Sequence, residues 1–137
     1  MAATATRSRR DVPPYNSQPE LQTSANCLVN GFVPKPGTLV LGERGIEFRG
    51  DSSDYLQRVA WEDVELVSCD IFRGHVRTMD VHTALGDVVT LTVEDDIEAL
   101  RAIAAHVGRD KVENVNEVAP EERPGGGIIG RIRSLFA

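Results

Sequence analysis

Aromatic residues, cysteines and long apolar runs are all scarce in this sequence of 137 residues. Aromatic side chains make up only 5% of the chain, so a core must rest mainly on Val, Leu and Ile. The two cysteines, Cys27 and Cys69, lie in strand-like segments rather than in a spaced loop framework. This placement favours reduced, buried thiols over a disulfide. No apolar run approaches the ~20 residues that a membrane-spanning helix needs.

The beginning of the chain also lacks the apolar segment of a secretion signal. Its early arginines are followed by Asp11, Pro13 and Pro14, which do not continue into an apolar run. We therefore expect the protein to be cytoplasmic.

Negative charge is concentrated in the middle of the chain. The formal net charge is −6, but residues 21–124 contain 10 basic and 19 acidic residues, whereas both ends carry a net positive charge. An acidic body argues against nucleic acid as a partner, because binding to phosphates requires clustered Lys and Arg. A protein partner remains open.

Composition divides the chain into four parts. Residues 1–20 are rich in Ala, Thr, Ser, Arg and Pro, which predicts a disordered N-terminal tail. Residues 21–117 carry the apolar pattern of one domain. Residues 118–127 combine Pro and Glu with three consecutive glycines, which is typical of a flexible linker. Residues 128–137 form a short apolar and basic tail.

Alternation of apolar and polar residues predicts six or seven antiparallel strands within the domain. A turn is predicted at Pro34–Gly37, and Asn30 and Gly31 weaken the first strand. The predicted strands cover residues 24–32, 38–41, 46–49, 55–60, 64–72, 77–84 and 88–93.

One amphipathic helix is predicted to follow these strands. Asp95 is placed to cap its first amides with Glu98 as the capping-box partner, and Gly108 is a natural stop. Many strands closed by a single helix predict a small, mainly β barrel, and we expect Trp61 to pack against the helix or the barrel end. The apolar stripe of the helix consists of Ile97, Leu100, Ile103, Ala104 and Val107.

A set of short motifs occurs in a fixed order between Leu21 and Val115. The motifs are Tyr55-Leu56-Gln57, Ala60-Trp61-Glu62-Asp63-Val64, Phe72-Arg73-Gly74, Arg77, the Thr83–Gly86 turn and Leu100-Arg101-Ala102-Ile103. In this combination the chain resembles an uncharacterised family often called ManO, which is encoded beside genes for mannose-type phosphotransferase system (PTS) transporters. The resemblance implies a pleckstrin-homology-like fold and a regulatory role in a sugar transport operon.

The sequence shows no recognisable catalytic, cofactor-binding or metal-binding constellation. His75, His82 and His106 could accept a phosphoryl group, but surface positions are the better interpretation, because no second ligand stands at metal spacing beside them. Ser68 has no base nearby in any pattern typical of nucleophilic catalysis. We therefore expect no enzyme activity, no metal and no cofactor.

Two segments are candidates for binding a partner. One is the predicted hairpin tip with Arg73, His75 and Arg77, which is either a cationic contact on an acidic domain or a solvated turn. The other is the C-terminal tail, whose apolar residues share one helical face and could dock on a protein, on its own barrel or, at most weakly, on a membrane surface. The tail residues concerned are Ile128, Ile129, Arg131, Ile132, Arg133, Leu135 and Phe136.

These features predict a non-enzymatic protein that acts through protein contacts. The resemblance implies regulation of a mannose-family phosphotransferase system, with components of that system as possible partners. The alternative is an adaptor or cargo protein whose C-terminal peptide docks on a partner shell or a membrane complex.

Overall fold

In the computed structural model, residues 13–52 and 55–116 are described. They contain eight strands, one α-helix and two single-turn 3₁₀ segments at Trp61–Asp63 and Arg109–Lys111. The strands are β1 (Pro19–Val29), β2 (Val33–Gly42), β3 (Gly45–Gly50), β4 (Leu56–Ala60), β5 (Val64–Phe72), β6 (His75–Thr83), β7 (Val88–Val93) and β8 (Val112–Asn114), and the helix is α1 (Asp96–Val107).

All eight strands form one curled sheet in the order β4-β3-β2-β1-β7-β6-β5-β8. The seven strands before the helix pair antiparallel, as predicted. The predicted total of six or seven strands was wrong, because β8 follows the helix and pairs parallel to β5. A strand of three residues is too short to produce a recognisable alternation, so the sequence could not indicate it.

The turn between β1 and β2 lies earlier than predicted. Asn30 and Gly31 have φ of 56° and 87°, as a tight hairpin turn requires, and Pro34–Gly37 belongs to β2 rather than to a turn. Both prolines of β2 pair with β1 but lie before the residues that pair with β3. Their missing N–H groups point away from β1, so no ladder hydrogen bond is lost there.

The concave side of the sheet holds the core, and α1 covers it. The buried face of the helix is formed by Ala99, Leu100, Ile103 and Ala104, while Ile97 and Val107 are partly buried against the same core. The predicted stripe is therefore confirmed. Cys27 and Cys69 both lie in the core as free thiols, and burial raises the pKa of Cys69 to about 12.

The start of α1 differs from the predicted capping box. Asp95 occupies the N-cap position but its side chain makes no capping hydrogen bond. Instead Asp96 accepts from the backbone N–H of Ile97 and from the backbone N–H of Val76 in β6, which ties the helix start to the sheet. The helix ends at Gly108, which has φ of 97°.

Residues 13–18, which the sequence analysis assigned to a disordered tail, form an arm along the outer face of β2–β4. The side chain of Asn16 is buried, accepts from the N–H groups of Arg44 and Gly45 and donates to the carbonyl of Gly45. Glu43 accepts from the N–H groups of Ser17 and Gln18. These contacts are polar, so the apolar pattern of the sequence could not reveal them.

Candidate functional site

The β5–β6 hairpin tip presents an aromatic ring close to two arginines. Arg73 and Gly74 form the turn with φ of 55° and 80°. The ring of Phe72 is 47% exposed, and the guanidinium groups of Arg73 and Arg77 lie 5.1 and 4.8 Å from its centre. Arg73 makes no ion pair with a carboxylate within the described ranges. The sequence predicted the cationic residues here, and the structure adds Phe72 to them.

The tip is held in place by its neighbours. Arg77 forms an ion pair with Asp70 of the facing strand at 2.9 Å, and this hydrogen bond lowers the pKa of Asp70. Asp96, at the start of α1, accepts from the N–H of Val76 at 2.7 Å and lies 3.7 Å from Nδ1 of the exposed His75. The turn, the sheet and the helix start are therefore fixed relative to one another.

The other predicted binding segment, the tail at 128–137, lies outside the described residues, as do the predicted linker at 118–127 and residues 1–12. The prediction that residues of this tail bind a partner is therefore untested.

A polar cluster on the outer face of β5, β6 and β8 was missed by the sequence analysis. Oγ of Ser68 lies 3.2 Å from Nε2 of His82 and donates to Glu113 at 3.1 Å. No sequence pattern placed a base beside Ser68, but the fold brings His82 next to it, so His82 is not an isolated surface side chain. The partners come from three strands, and β8 was not recognised, so the sequence offered no signal.

The hydroxyl of Ser68 has a single proton, which it donates to Glu113 in this arrangement. Nε2 of His82 then donates its own N–H to the serine oxygen, and an imidazole in that tautomer is not placed to act as a general base. The cluster joins β8 to the sheet.

His106 is the second histidine with a defined role. Its ring is stacked on Trp61 with 4.3 Å between the ring centres, and Nε2 lies 2.9 Å from Glu20. Trp61 also donates from Nε1 to the carbonyl of Gly42 at 2.8 Å. The predicted position of Trp61 against the helix is confirmed, and His106 is a structural contact rather than a free surface group.

A cavity of about 330 Å³ opens between the end of β1 and the starts of β4 and β7. Its polar wall is a short chain of hydrogen bonds, in which Gln57 donates to the hydroxyl of Tyr55 at 3.0 Å and that hydroxyl lies 3.6 Å from the thiol of Cys27. Val29 and Val89 contribute apolar lining. Burial raises the pKa of both Cys27 and Tyr55, which makes neither of them a ready nucleophile at neutral pH.

No group of three or more His, Cys, Asp or Glu side chains within residues 13–52 and 55–116 is arranged to hold a metal ion. Over the same ranges, no helix is both long enough and apolar enough to cross a membrane.

The family model for a domain of unknown function, DUF956, matches residues 12–120. This chain belongs to that family. No curated protein matches it. Among solved structures, the C-terminal domain of an unknown protein from Leishmania infantum is similar, with a TM-score of 0.58 and 14% identity over 66% of this chain and 84% of that chain. At this identity the likeness concerns the fold alone.

Proposed function

We propose that this DUF956 protein is a non-enzymatic interaction module that contacts a partner protein through the β5–β6 tip. Support comes from Phe72, which is large, apolar and 47% exposed, with two guanidinium groups 5.1 and 4.8 Å from its ring centre. Aromatic and arginine side chains are enriched among the residues that dominate binding energy in protein interfaces. Because the backbone of the turn is tied to the helix start, little backbone entropy is lost on binding.

Charge also favours this surface. Arg77 is paired with Asp70, but Arg73 brings a further positive charge to the tip of a domain whose middle section has nearly twice as many acidic as basic residues. A cationic and aromatic tip on an acidic body suits a partner with an apolar pocket surrounded by carboxylates, because the rest of the domain would repel such a partner. The proposed contact is therefore localised and has one orientation.

The finer assignment is a cytoplasmic regulator of a mannose-type phosphotransferase system with a pleckstrin-homology-like domain. It is supported by the motif resemblance that runs from Tyr55 to Ile103, and by the placement of Phe72, Arg73 and Arg77 on one exposed tip.

The test is binding of purified subunits of a mannose-type phosphotransferase transporter to the full chain by calorimetry. Phe72→Ala should weaken binding by about 2 kcal/mol or more, as expected for a central interface residue. Leu85→Ala is the matched control, since Leu85 is 90% exposed at the β6–β7 turn. Arg73→Glu should weaken binding more than Arg73→Lys, which retains the charge but loses the planar stack.

Unchanged affinity in Phe72→Ala and Arg73→Glu, with reduced affinity in Leu85→Ala, would move the interface to the other end of β6. If none of the transporter subunits binds the wild-type chain, the phosphotransferase assignment is wrong.

A further inference from the structure

Within residues 13–52 and 55–116, the outer edge of β4 has a row of backbone groups with no strand beside them. β4 is the last strand of the sheet on this side. The N–H of Trp61 donates to the carbonyl of Arg44 in the β3 direction, and the carbonyl of Tyr55 accepts from Gly50. Because backbone groups alternate along a strand, Tyr55, residue 57 and residue 59 face β3. The N–H and C=O groups of Leu56, Arg58 and Ala60 therefore point away from the sheet.

The surroundings of this edge suit an added strand. The cavity lined by Tyr55 and Gln57 opens at the start of β4 on the concave side, where an alternate side chain of an added strand would point. On the outer side, Arg58 forms an ion pair with Glu47 at 2.8 Å, but Glu47 is shared with Arg49 at 3.1 Å. Two arginines therefore share one carboxylate beside the edge.

Charge argues against a second copy of this chain on the same edge. Antiparallel pairing of two β4 strands over all five residues would place Arg58 directly opposite its own counterpart, and like charges in that position are destabilising. The segment of this chain at 128–137 contains Arg131 and Arg133 and no acidic residue, so it offers no opposite charge to Arg58.

We propose that the β4 edge binds an extended segment of a partner protein by strand addition, with an acidic side chain opposite Arg58 and small apolar side chains facing the concave side. The backbone groups of Leu56, Arg58 and Ala60 supply the hydrogen bonds. This surface is separate from the β5–β6 tip, and its existence does not depend on that tip binding anything.

The test uses Ala60→Pro, which removes one N–H from the edge. Ala60 has φ of −69°, which is the angle that proline requires, and its N–H faces away from β3, so the fold should be retained. The control is Ala60→Ser, which retains the N–H. The probe is the blocked peptide Thr-Val-Glu-Val-Thr, with a Lys-centred analogue and an analogue methylated on the central backbone nitrogen.

In amide NMR titrations of the full chain, the Glu-centred peptide should shift and protect the amides of Leu56, Arg58 and Ala60. Ala60→Pro, and separately methylation of the peptide, should weaken binding by about threefold to tenfold, the range for one net hydrogen bond. The Lys-centred peptide should bind more weakly than the Glu-centred peptide. The methylated peptide keeps the test decisive if the proline variant does not fold.

Three results would overturn the proposal. The first is the absence of any shift at these amides with the Glu-centred peptide. The second is strong protection of the same amides in the free monomer, which would mean that another part of this chain covers the edge. The third is a dimer in sedimentation that Ala60→Pro abolishes, which would assign the edge to a second copy.

Discussion

The two edges of the sheet are protected very differently. One edge is formed by β5 with its short partner β8, and the other is formed by β4. β8 pairs with only three residues of β5, but side chains complete the cover. Asn114 accepts from the N–H of Ile71, Asn116 donates to its carbonyl, and Lys111 donates to the carbonyl of Val64. β4 has no comparable cover along Leu56–Ala60 within the described ranges. Within the described residues, β4 is therefore the edge of the sheet that is open to pairing with another strand.

The largest stability effect is expected at Trp61, which anchors the end of β4. Trp61→Ala should destabilise the fold by about 3 kcal/mol, since it removes the stack on His106, the bond to Gly42 and apolar burial. Trp61→Phe is the control that retains most of the ring, and urea unfolding gives the free energies. An unchanged midpoint in Trp61→Ala would mean that β4 is held by its pairing with β3 alone.

Asn114→Ala should cost about 1–3 kcal/mol, because Asn114 is buried and its removal leaves the N–H of Ile71 unsatisfied. Asn116→Ala, at an exposed neighbour, is the milder control. In Asn114→Ala, hydrogen exchange should accelerate at the amide of Ile71 but not at the amide of Leu56. Slow exchange at Ile71 in this variant would contradict the role of side chains in covering the β5 edge.

A smaller, pH-dependent effect on stability is expected at the arm of residues 13–18, which Glu43 holds against the sheet. Bonds from the N–H groups of Ser17 and Gln18 lower the pKa of Glu43 from 4.5 to about 2. A carboxyl whose pKa is lower in the folded state stabilises that state fully above 4.5, and this stabilisation is lost as the pH falls through about 2. Glu43→Gln should therefore reduce the pH dependence of the unfolding free energy in this window. Carboxyl NMR that places the Glu43 pKa near 4.5 would show that the arm is not held by this bond.

The smallest effect on stability is expected for Ala60→Pro, on the bare edge. A proline with a compatible φ reduces the entropy of the unfolded chain, so the variant should be as stable as the wild type or up to about 1 kcal/mol more stable. The amides of Leu56 and Arg58 should exchange much faster than those of Gln57 and Val59, which face β3. A loss of several kcal/mol in Ala60→Pro would mean that this N–H has a partner in the folded chain.

Elements with a long and regular pattern were predicted well. β5 and β7 begin and end at the predicted residues, since alternation over six to nine residues has few competing interpretations. The stripe of α1 was predicted because its period requires one buried face. The turn at Pro34 was predicted wrongly, because proline usually interrupts a strand. Only the strand pairing shows that Pro34 lacks its N–H on the side where β2 has no β3 partner. For the candidate site, Arg73, His75 and Arg77 were named as candidates from the sequence, whereas the exposed position of Phe72 close to the arginines was not.

By itself, the sequence determined a mainly β domain with one closing helix, an acidic body and a cationic hairpin tip, because these follow from periodicity and from the positions of charges along the chain. The tertiary structure decided the remainder: the parallel β8, the ordered arm through Asn16, the Ser68–His82–Glu113 cluster and the bare edge of β4. Each of these depends on which strands become neighbours in space. The contacts between them are polar or backbone contacts, which leave no periodic signal in the amino-acid sequence.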